Sequence, residues 1–281
     1  MNIMSHLILL RPQQWLKNLL LFFPPFLSGA LLNHGMFSRG FIPFIAFSLA
    51  SSAAYVMNDM LDVERDRKHP VKNLRPLASG AVARPTALLM SISLLSAAGV
   101  LGSLVSMRFL VFMGIYLIVS GLYTVTLKDW PIVDIFCIAF GFVLRLYAGG
   151  EAFGVQISDW LFLTVFLLAL FLSVGKRYSE RLSLGGDAGQ HRRALEEYPE
   201  GFLDSAMYLS GAAVLVTYAL YVVSHPNMVY TVPLCMFGLL RYLFRIKSGH
   251  SGDPTGALLR DGPLLATGVI WVIMVAWGVY Q

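Results

Sequence analysis

The chain has 281 residues, of which 57% are hydrophobic and 13% charged, where an ordinary soluble domain carries roughly 25% charged residues. A mean hydropathy of +0.67 excludes a water-soluble globular domain, a disordered chain and a small disulfide-stapled fold. The net charge of +5 would suit nucleic acid in a soluble protein, but in a membrane protein it reflects basic loops on one side, so no nucleic-acid partner is expected.

A membrane helix needs about 20 apolar residues. Stretches of that kind run over 16–33, 41–61, 86–106, 108–126, 131–149, 159–175, 202–224, 228–245 and 262–280. The expectation is an all-α polytopic membrane protein of nine transmembrane helices in one membrane-embedded domain over 1–281. Pro24 and Pro25 should kink the first span, because proline removes a backbone donor. Cys137 and Cys235 lie inside apolar runs without paired spacing and read as packing residues.

With the N-terminus inside, 18 of the 21 Lys and Arg fall on inner segments or their helix ends. The positive-inside rule therefore places the N-terminus in the cytoplasm and the chain in the inner (cytoplasmic) membrane. Two inner loops, 62–85 and 176–201, are long and carry both charge signs. Function concentrates on long ordered loops, so these two are expected to carry an active site facing the cytoplasm.

The segment from Tyr55 to Gly80 carries the densest chemistry. Asn58, Asp62 and Asp66 stand at i, i+4 and i+8, which lines them along one helix face at about 6 Å per step. Asp59 stands beside that stripe. Hard oxygen donors at a helix end suit Mg²⁺, which binds a few carboxylates together with substrate phosphates. Asn58, Asp62 and Asp66 are the candidate metal ligands, and Asp59, Asp62 and Asp66 the candidate catalytic carboxylates. A solvated helix end is the plainer alternative, but an Asn-Asp pair within an apolar helix is costly without a function. Arg67, Lys68, His69, Lys72 and Arg75 follow directly; of these, Arg67, Lys72 and Arg75 are the candidates to grip diphosphate oxygens.

Single residues elsewhere carry two readings each. Lys17, beside Trp15, either holds a lipid phosphate or snorkels to the interface. Arg145 lies inside a span and needs a partner; it pairs with Asp134 or Glu151, or else reaches a central cavity. Tyr55 and Tyr123 either line the site or sit at the interface.

Asn58-Asp59-x-x-Asp62-x-x-x-Asp66 resembles the NDxxDxxxD motif of the UbiA superfamily of intramembrane prenyltransferases. The resemblance implies nine helices around a cavity open to the cytoplasm and laterally to lipid, with Mg²⁺ and diphosphate at the cytoplasmic end. The superfamily's aromatic prenyltransferases carry a second motif, DxxxD, after the sixth helix. Here that region holds Lys176, Arg177, Tyr178, Glu180, Arg181 and a lone Asp187.

That departure resembles one branch of the superfamily, the decaprenyl-phosphate phosphoribosyltransferases, over roughly residues 8–190. The resemblance rests on Arg11-Pro-x-Gln-Trp15-x-Lys17-Asn18, on Asp66-Arg67-x-His69-Pro70-x-Lys72-x-x-Arg75-Pro76 and on Tyr123-Thr-Val-Thr-Leu-Lys128. It continues from Asp134 to Gly141-Phe-Val-Leu-Arg145 and through Gly175-Lys176-Arg177-Tyr178-Ser-Glu180. It implies Mg²⁺-dependent transfer of 5-phosphoribose from phosphoribosyl pyrophosphate to a polyprenyl phosphate, releasing diphosphate, in cell-envelope pentose supply. Lys128, Lys176 and Arg177 would hold the remaining phosphates, and Tyr123, Asp134, Arg145 and Glu180 would complete the substrate site. The runner-up is prenyl transfer from a prenyl diphosphate to an aromatic or other lipophilic acceptor, which the missing DxxxD disfavours.

Overall fold

The computed structural model describes residues 3–68, 70–184, 193–225 and 227–281. His69, Asp187 and Arg192 lie outside them. Regular structure among the described residues is helical throughout. In chain order the helices are α1 (Ile3–Leu10), α2 (Phe23–Leu27), α3 (Met36–Arg39), α4 (Phe41–Leu61), α5 (Val63–Arg67), α6 (Arg84–Ser103) and α7 (Met107–Val125). There follow α8 (Val133–Phe153), α9 (Asp159–Leu184), α10 (Arg193–Glu197), α11 (Phe202–Val223), α12 (Val232–Lys247), α13 (Pro254–Arg260) and α14 (Gly262–Tyr280). Eight described segments are long and apolar enough to cross a bilayer: α3 with α4, α6, α7, α8, α9, α11, α12 with the turn before it, and α14. Their outward faces expose Leu89, Ile118, Leu209 and Ile273, among others, as a lipid-facing surface requires. The protein is a multi-pass membrane protein.

The first expected span differs from the rest. Residues Pro12–Phe22 form a 3-10 helix that runs into α2. Runs of this length are uncommon because 3-10 hydrogen bonds are poorly aligned, so other contacts must hold this one. A 3-10 helix brings every third residue onto one line, and Trp15, Asn18 and Leu21 occupy that line. Trp15 Nε1 donates to Ser52 Oγ at 2.9 Å, and Asn18 Nδ2 donates to Ser48 Oγ at 3.0 Å and Ser51 Oγ at 3.3 Å. Leu21 is buried against α8 at Gly149, where an added Cβ would lie 2.3 Å from the Leu21 carbonyl oxygen.

The inward face of α4 is built of small residues, Ala46, Ala50, Ala53, Ser48, Ser51 and Ser52. Small residues let membrane helices approach closely, and α4 packs intimately on α6, where Ser91 Oγ donates to the Ala53 carbonyl. One core joins α4, α7 and α8 around Phe47, Phe109 and Tyr116; another joins α9, α11 and α12 around Phe171, Tyr198 and Tyr242. Helix α8 packs on both α7 and α9 and links the two halves.

Up-and-down connection brings the ends of α4, α7 and α9 and the starts of α6 and α8 to one end of the bundle. Contacts such as Lys128 to Asp62 and Arg177 to Tyr123 close that end. At the opposite end Ser106 caps α7 and donates to Glu151. The sequence expectation of a loop beginning at 176 needs correction: α9 continues unbroken to Leu184, carrying Lys176, Arg177 and Glu180 on a helix. The stretch after Gly175 holds no proline or glycine before Gly185 and so offers no breaker.

Candidate active site

The acidic face survives the end of α4. Asp62 N donates to Asn58 O at 3.0 Å and Asp66 N to Asp62 O at 2.8 Å, so helical spacing carries through the bend into α5. Each carboxylate meets a cation of the chain. Lys128 Nζ lies 2.5 Å from Asp62 Oδ1. Arg75 NH1 donates to Asp66 Oδ2 at 2.7 Å and to Asp59 Oδ1 at 3.0 Å, and Arg11 NH2 reaches the same Asp59 oxygen at 2.5 Å. Asn58 Oδ1 accepts from Thr124 Oγ1. Burial pushes the Asp66 carboxyl above its ordinary range, against the pull of Arg75 and with a further push from Asp59.

By donor chemistry Asp62, Asp66 and the Asn58 amide oxygen could hold a divalent cation, which would have to displace Lys128 and Arg75. No group of three or more His, Cys, Asp and Glu converges among the described residues, so an ion here would rest on Asp62, Asp66 and the Asn58 amide oxygen. Two carboxylates and a carbonyl, with remaining positions left to water or phosphate, is the pattern Mg²⁺ favours. Asp59 is instead clamped between Arg11 and Arg75 and orients them.

A second network faces the first across α7 and α8. Arg177, fully buried, donates to Asp134 Oδ2 at 2.5 Å, Glu180 Oε2 at 2.6 Å and the Tyr123 hydroxyl at 2.9 Å. Asp134 Oδ1 accepts from the Tyr198 hydroxyl at 2.7 Å, and that hydroxyl accepts from the backbone N–H of Ile132. Ile132 has φ +68°, a conformation costly for a β-branched residue, so the Tyr198 contact helps hold a strained turn. Tyr198 carried no signal in the sequence beyond its aromatic character. Burial, and after it the neighbouring Asp134 charge, pushes the Tyr198 hydroxyl well above its usual range.

Lys17 and Lys176 are half-buried and make no hydrogen bond or ion pair among the described residues. They come from opposite halves of the bundle yet lie within electrostatic reach of each other. Tyr55 lies under the Arg11 guanidinium, 5.2 Å from ring centre to Cζ. Of the remaining expected residues, Lys72 acts on Asp66 electrostatically. Arg67 turns outward, donating to Glu64 and to the Ala78 carbonyl.

The expected pairing of Arg145 with Asp134 or Glu151 is not found. Arg145 donates to Asn18 Oδ1 at 2.8 Å, the Gly141 carbonyl at 2.7 Å and the Tyr116 hydroxyl at 3.0 Å, and it stacks 4.5 Å over the Tyr116 ring. Asp134 stands eleven residues away on the same helix, about 16 Å along its axis, and is occupied by Arg177. Glu151 accepts from Ser106. Arg145 thus binds neutral dipoles and ties the 3-10 segment to α7 and α8.

One residue that the sequence did not flag joins the site. Asp253 caps α13, its Oδ2 accepting from Gly256 N at 2.8 Å, and it acts electrostatically on Lys17 and Tyr55. The preceding Gly252 is pressed on α9: an added Cβ would lie 2.8 Å from the Gly175 oxygen and 2.9 Å from the Lys176 Cα.

A helical, multi-pass bundle with an Asp-rich helix end beside a buried network of Arg177, Asp134 and Glu180 defines a class of membrane-embedded proteins with one charged end. The chain belongs to the UbiA prenyltransferase family, whose sequence profile matches residues 22–260, and it is an enzyme of the transferase type. A decaprenyl-phosphate phosphoribosyltransferase of Corynebacterium glutamicum is 32% identical to it over 96% of this chain and 85% of that one. The protein of that name from Mycolicibacterium smegmatis is 31% identical over 99% and 94%. Among solved structures, a UbiA homologue from Archaeoglobus fulgidus bound to GPP and Mg²⁺ superposes with a TM-score of 0.77 at 23% identity, covering 98% of this chain and 99% of that one.

Proposed function

We propose that this enzyme transfers 5-phosphoribose from phosphoribosyl pyrophosphate to a polyprenyl phosphate of the decaprenyl type, releasing diphosphate. The observation that carries the reading is the replacement of a second carboxylate cluster by cations. Where a DxxxD motif would stand, Arg177 is locked by Asp134, Glu180 and Tyr123, and Lys176 has no partner among the described residues. Lys176, with Lys17 facing it from the other half of the bundle, leaves two lysines beyond the acidic face without an ion pair among the described residues, which suits a donor with a phosphate besides its diphosphate. The names of the phosphoribosyltransferase relatives support the same donor.

In this reading Asn58, Asp62 and Asp66 hold Mg²⁺, which supplies charge neutralisation to the departing diphosphate. Arg75 and Lys128, already on these carboxylates, swing onto the diphosphate oxygens, with Lys72 beside them; Arg67, turned outward onto Glu64, takes no part. Lys17 and Lys176 hold the other phosphates, while Arg177, sequestered by Asp134, Glu180 and Tyr123, braces the wall behind them instead of meeting phosphate as the sequence suggests, and Tyr55 and Tyr123 bound the site. The acceptor is anionic near neutral pH, so no general base is needed. Its phosphate oxygen forms a bond to ribose C1 as the bond from C1 to the diphosphate oxygen breaks, the electron pair leaving with diphosphate. Inversion gives a β-linked phosphoribosyl lipid. Catalysis is leaving-group stabilisation plus positioning.

The reading extends to topology. The segment Pro12–Leu27 serves as a ninth crossing: eleven 3-10 residues and five α-helical ones span about 30 Å, the thickness of the hydrocarbon core. The basic segments then lie in the cytoplasm of an inner membrane, and the site opens there and laterally to lipid. The whole chain serves as one catalytic domain.

The test is label transfer from ribose-labelled donor into the organic phase, with purified protein, Mg²⁺ and a polyprenyl phosphate. Transfer that chelation and Asp62→Ala both abolish is the expected result. No transfer by folded protein, with prenyl transfer to an aromatic acceptor instead, would overturn the reading in favour of the second chemistry.

A further inference from the structure

The proposed donor is an anion at both ends, yet a carboxylate stands among the groups that would receive it. Asp253 is half-buried and lies in the turn between α12 and α13. The turn is fixed on α9: Gly252 N donates to Ser179 Oγ at 2.9 Å, Ser179 Oγ donates to the His250 carbonyl, and the Tyr242 hydroxyl donates to the Gly252 carbonyl at 2.7 Å. Helix α13 also packs on the 3-10 segment that carries Lys17. The turn that carries Asp253 is therefore pressed on α9 at the Lys176 backbone, by contacts that tolerate no side chain at Gly252, while the helix that Asp253 caps packs on the 3-10 segment of Lys17.

Helix capping uses only half of this carboxylate. Oδ2 takes the Gly256 N–H, while Oδ1 accepts no hydrogen bond from the described residues. A metal role is unsupported, because no group of three or more His, Cys, Asp and Glu forms among the described residues. A phosphate role is excluded by sign, since two anions would repel. Uncharged hydrogen-bond donors remain, and a carboxylate accepts two hydroxyls side by side. In a sugar phosphate such hydroxyls stand between the charged ends; a prenyl diphosphate has none.

We propose that Asp253 selects the donor by accepting hydrogen bonds from the vicinal hydroxyls of a pentosyl diphosphate, while Lys17 and Lys176 take phosphates on either side of it. This rests on the phosphoribosyl reading above and names the group that separates a sugar donor from a prenyl one. A site built to bond a hydroxyl rejects the analogue that lacks it far more strongly than an apolar pocket rejects an added group.

The experiment compares phosphoribosyl pyrophosphate with its 2-deoxy counterpart in the full-length protein, using transfer kinetics and calorimetric binding. The variants are Asp253→Ser and Asp253→Asn. Serine is an equally good helix cap, so Asp253→Ser removes the carboxylate and keeps the turn, which an unchanged unfolding midpoint checks. The expected result is a rise in KM for the ribose donor of about tenfold to a hundredfold in Asp253→Ser, the range of one hydrogen bond to a charged group. The deoxy donor, which keeps only the 3-hydroxyl, should lose several-fold less, Mg²⁺ with inorganic diphosphate should bind as before, and Asp253→Asn should fall between. Equal losses for both donors, or no change for either, would overturn the assignment of Asp253 alone. Absence of ribosyl transfer and of donor binding in the unaltered protein would overturn the reaction itself and the assignment with it.

Discussion

The Lys128 ammonium sits 2.5 Å from Asp62 Oδ1, on the oxygen that the acidic face would offer to a divalent cation. Under the proposed reaction a lysine in that place would compete with the metal for the carboxylate and would move to a phosphate oxygen as the metal enters. Lys128→Ala should therefore separate two quantities that a plain ion pair would move together. Mg²⁺ should bind more tightly, read by titration of the protein with the metal alone. Turnover should fall about a hundredfold, a loss typical of removing one charge-stabilising group.

Arg177 is fully buried and satisfies two carboxylates. Removing one side of a buried ion pair leaves the other uncompensated, at about 3–5 kcal/mol. Arg177→Met should lower the thermal midpoint in detergent sharply. Adding Asp134→Asn should restore part of the loss, because the stranded charge is gone; failure of the second change to restore anything would mean the pair is not the cause.

Gly149 lets α8 touch the backbone of the 3-10 segment. Gly149→Ala forces these elements apart and should destabilise the fold by about 1–3 kcal/mol, as overpacking does. Gly99, in the middle of α6, has open space around its Cα. Gly99→Ala should be neutral or stabilising by up to about 1 kcal/mol through helix propensity. Thermal unfolding of the two variants side by side measures the contrast.

Asp261 caps α14 through Leu264 N and is held by Arg241 at 3.0 Å and Arg245 at 3.1 Å. The Arg241 hydrogen bonds, first of all, draw its carboxyl far below the ordinary range. A carboxyl depressed by folding adds stability above its unfolded pKa, about 3.9, and that contribution is lost as pH falls through the lower folded value. Unfolding midpoints should thus drop below about pH 4 in the unaltered protein. In Asp261→Asn the midpoint should be lower at neutral pH and that part of the acid-side drop should vanish.

The acidic face was legible because Asn58, Asp62 and Asp66 are close in sequence and helical periodicity alone aligns them. Eight crossings were legible for the same local reason, as apolar runs of sufficient length. The 3-10 character of the first segment was not, since it follows from a line of serines on α4 that only tertiary packing sets against Trp15 and Asn18. The partners of Arg145 were misplaced because proximity along one helix was taken for proximity in space. Asp253 was invisible for a different reason: an aspartate before Pro254 reads as an ordinary helix cap, and its approach to Lys17 joins opposite ends of the chain.

The pairing at the acidic face has a thermodynamic corollary. Asp59, Asp62 and Asp66 are matched by Arg11, Arg75 and Lys128, so the cluster sums to zero from the chain's own side chains. A metal and its diphosphate entering there swap partners with these groups, much as ions swap on an exchange resin. Under the proposed reaction Asp62 and Asp66 would turn to the metal, and the cations they release would turn to phosphate oxygens. Such a swap leaves the number of charges without a counter-ion nearly constant, which keeps the desolvation cost of binding low in a bilayer.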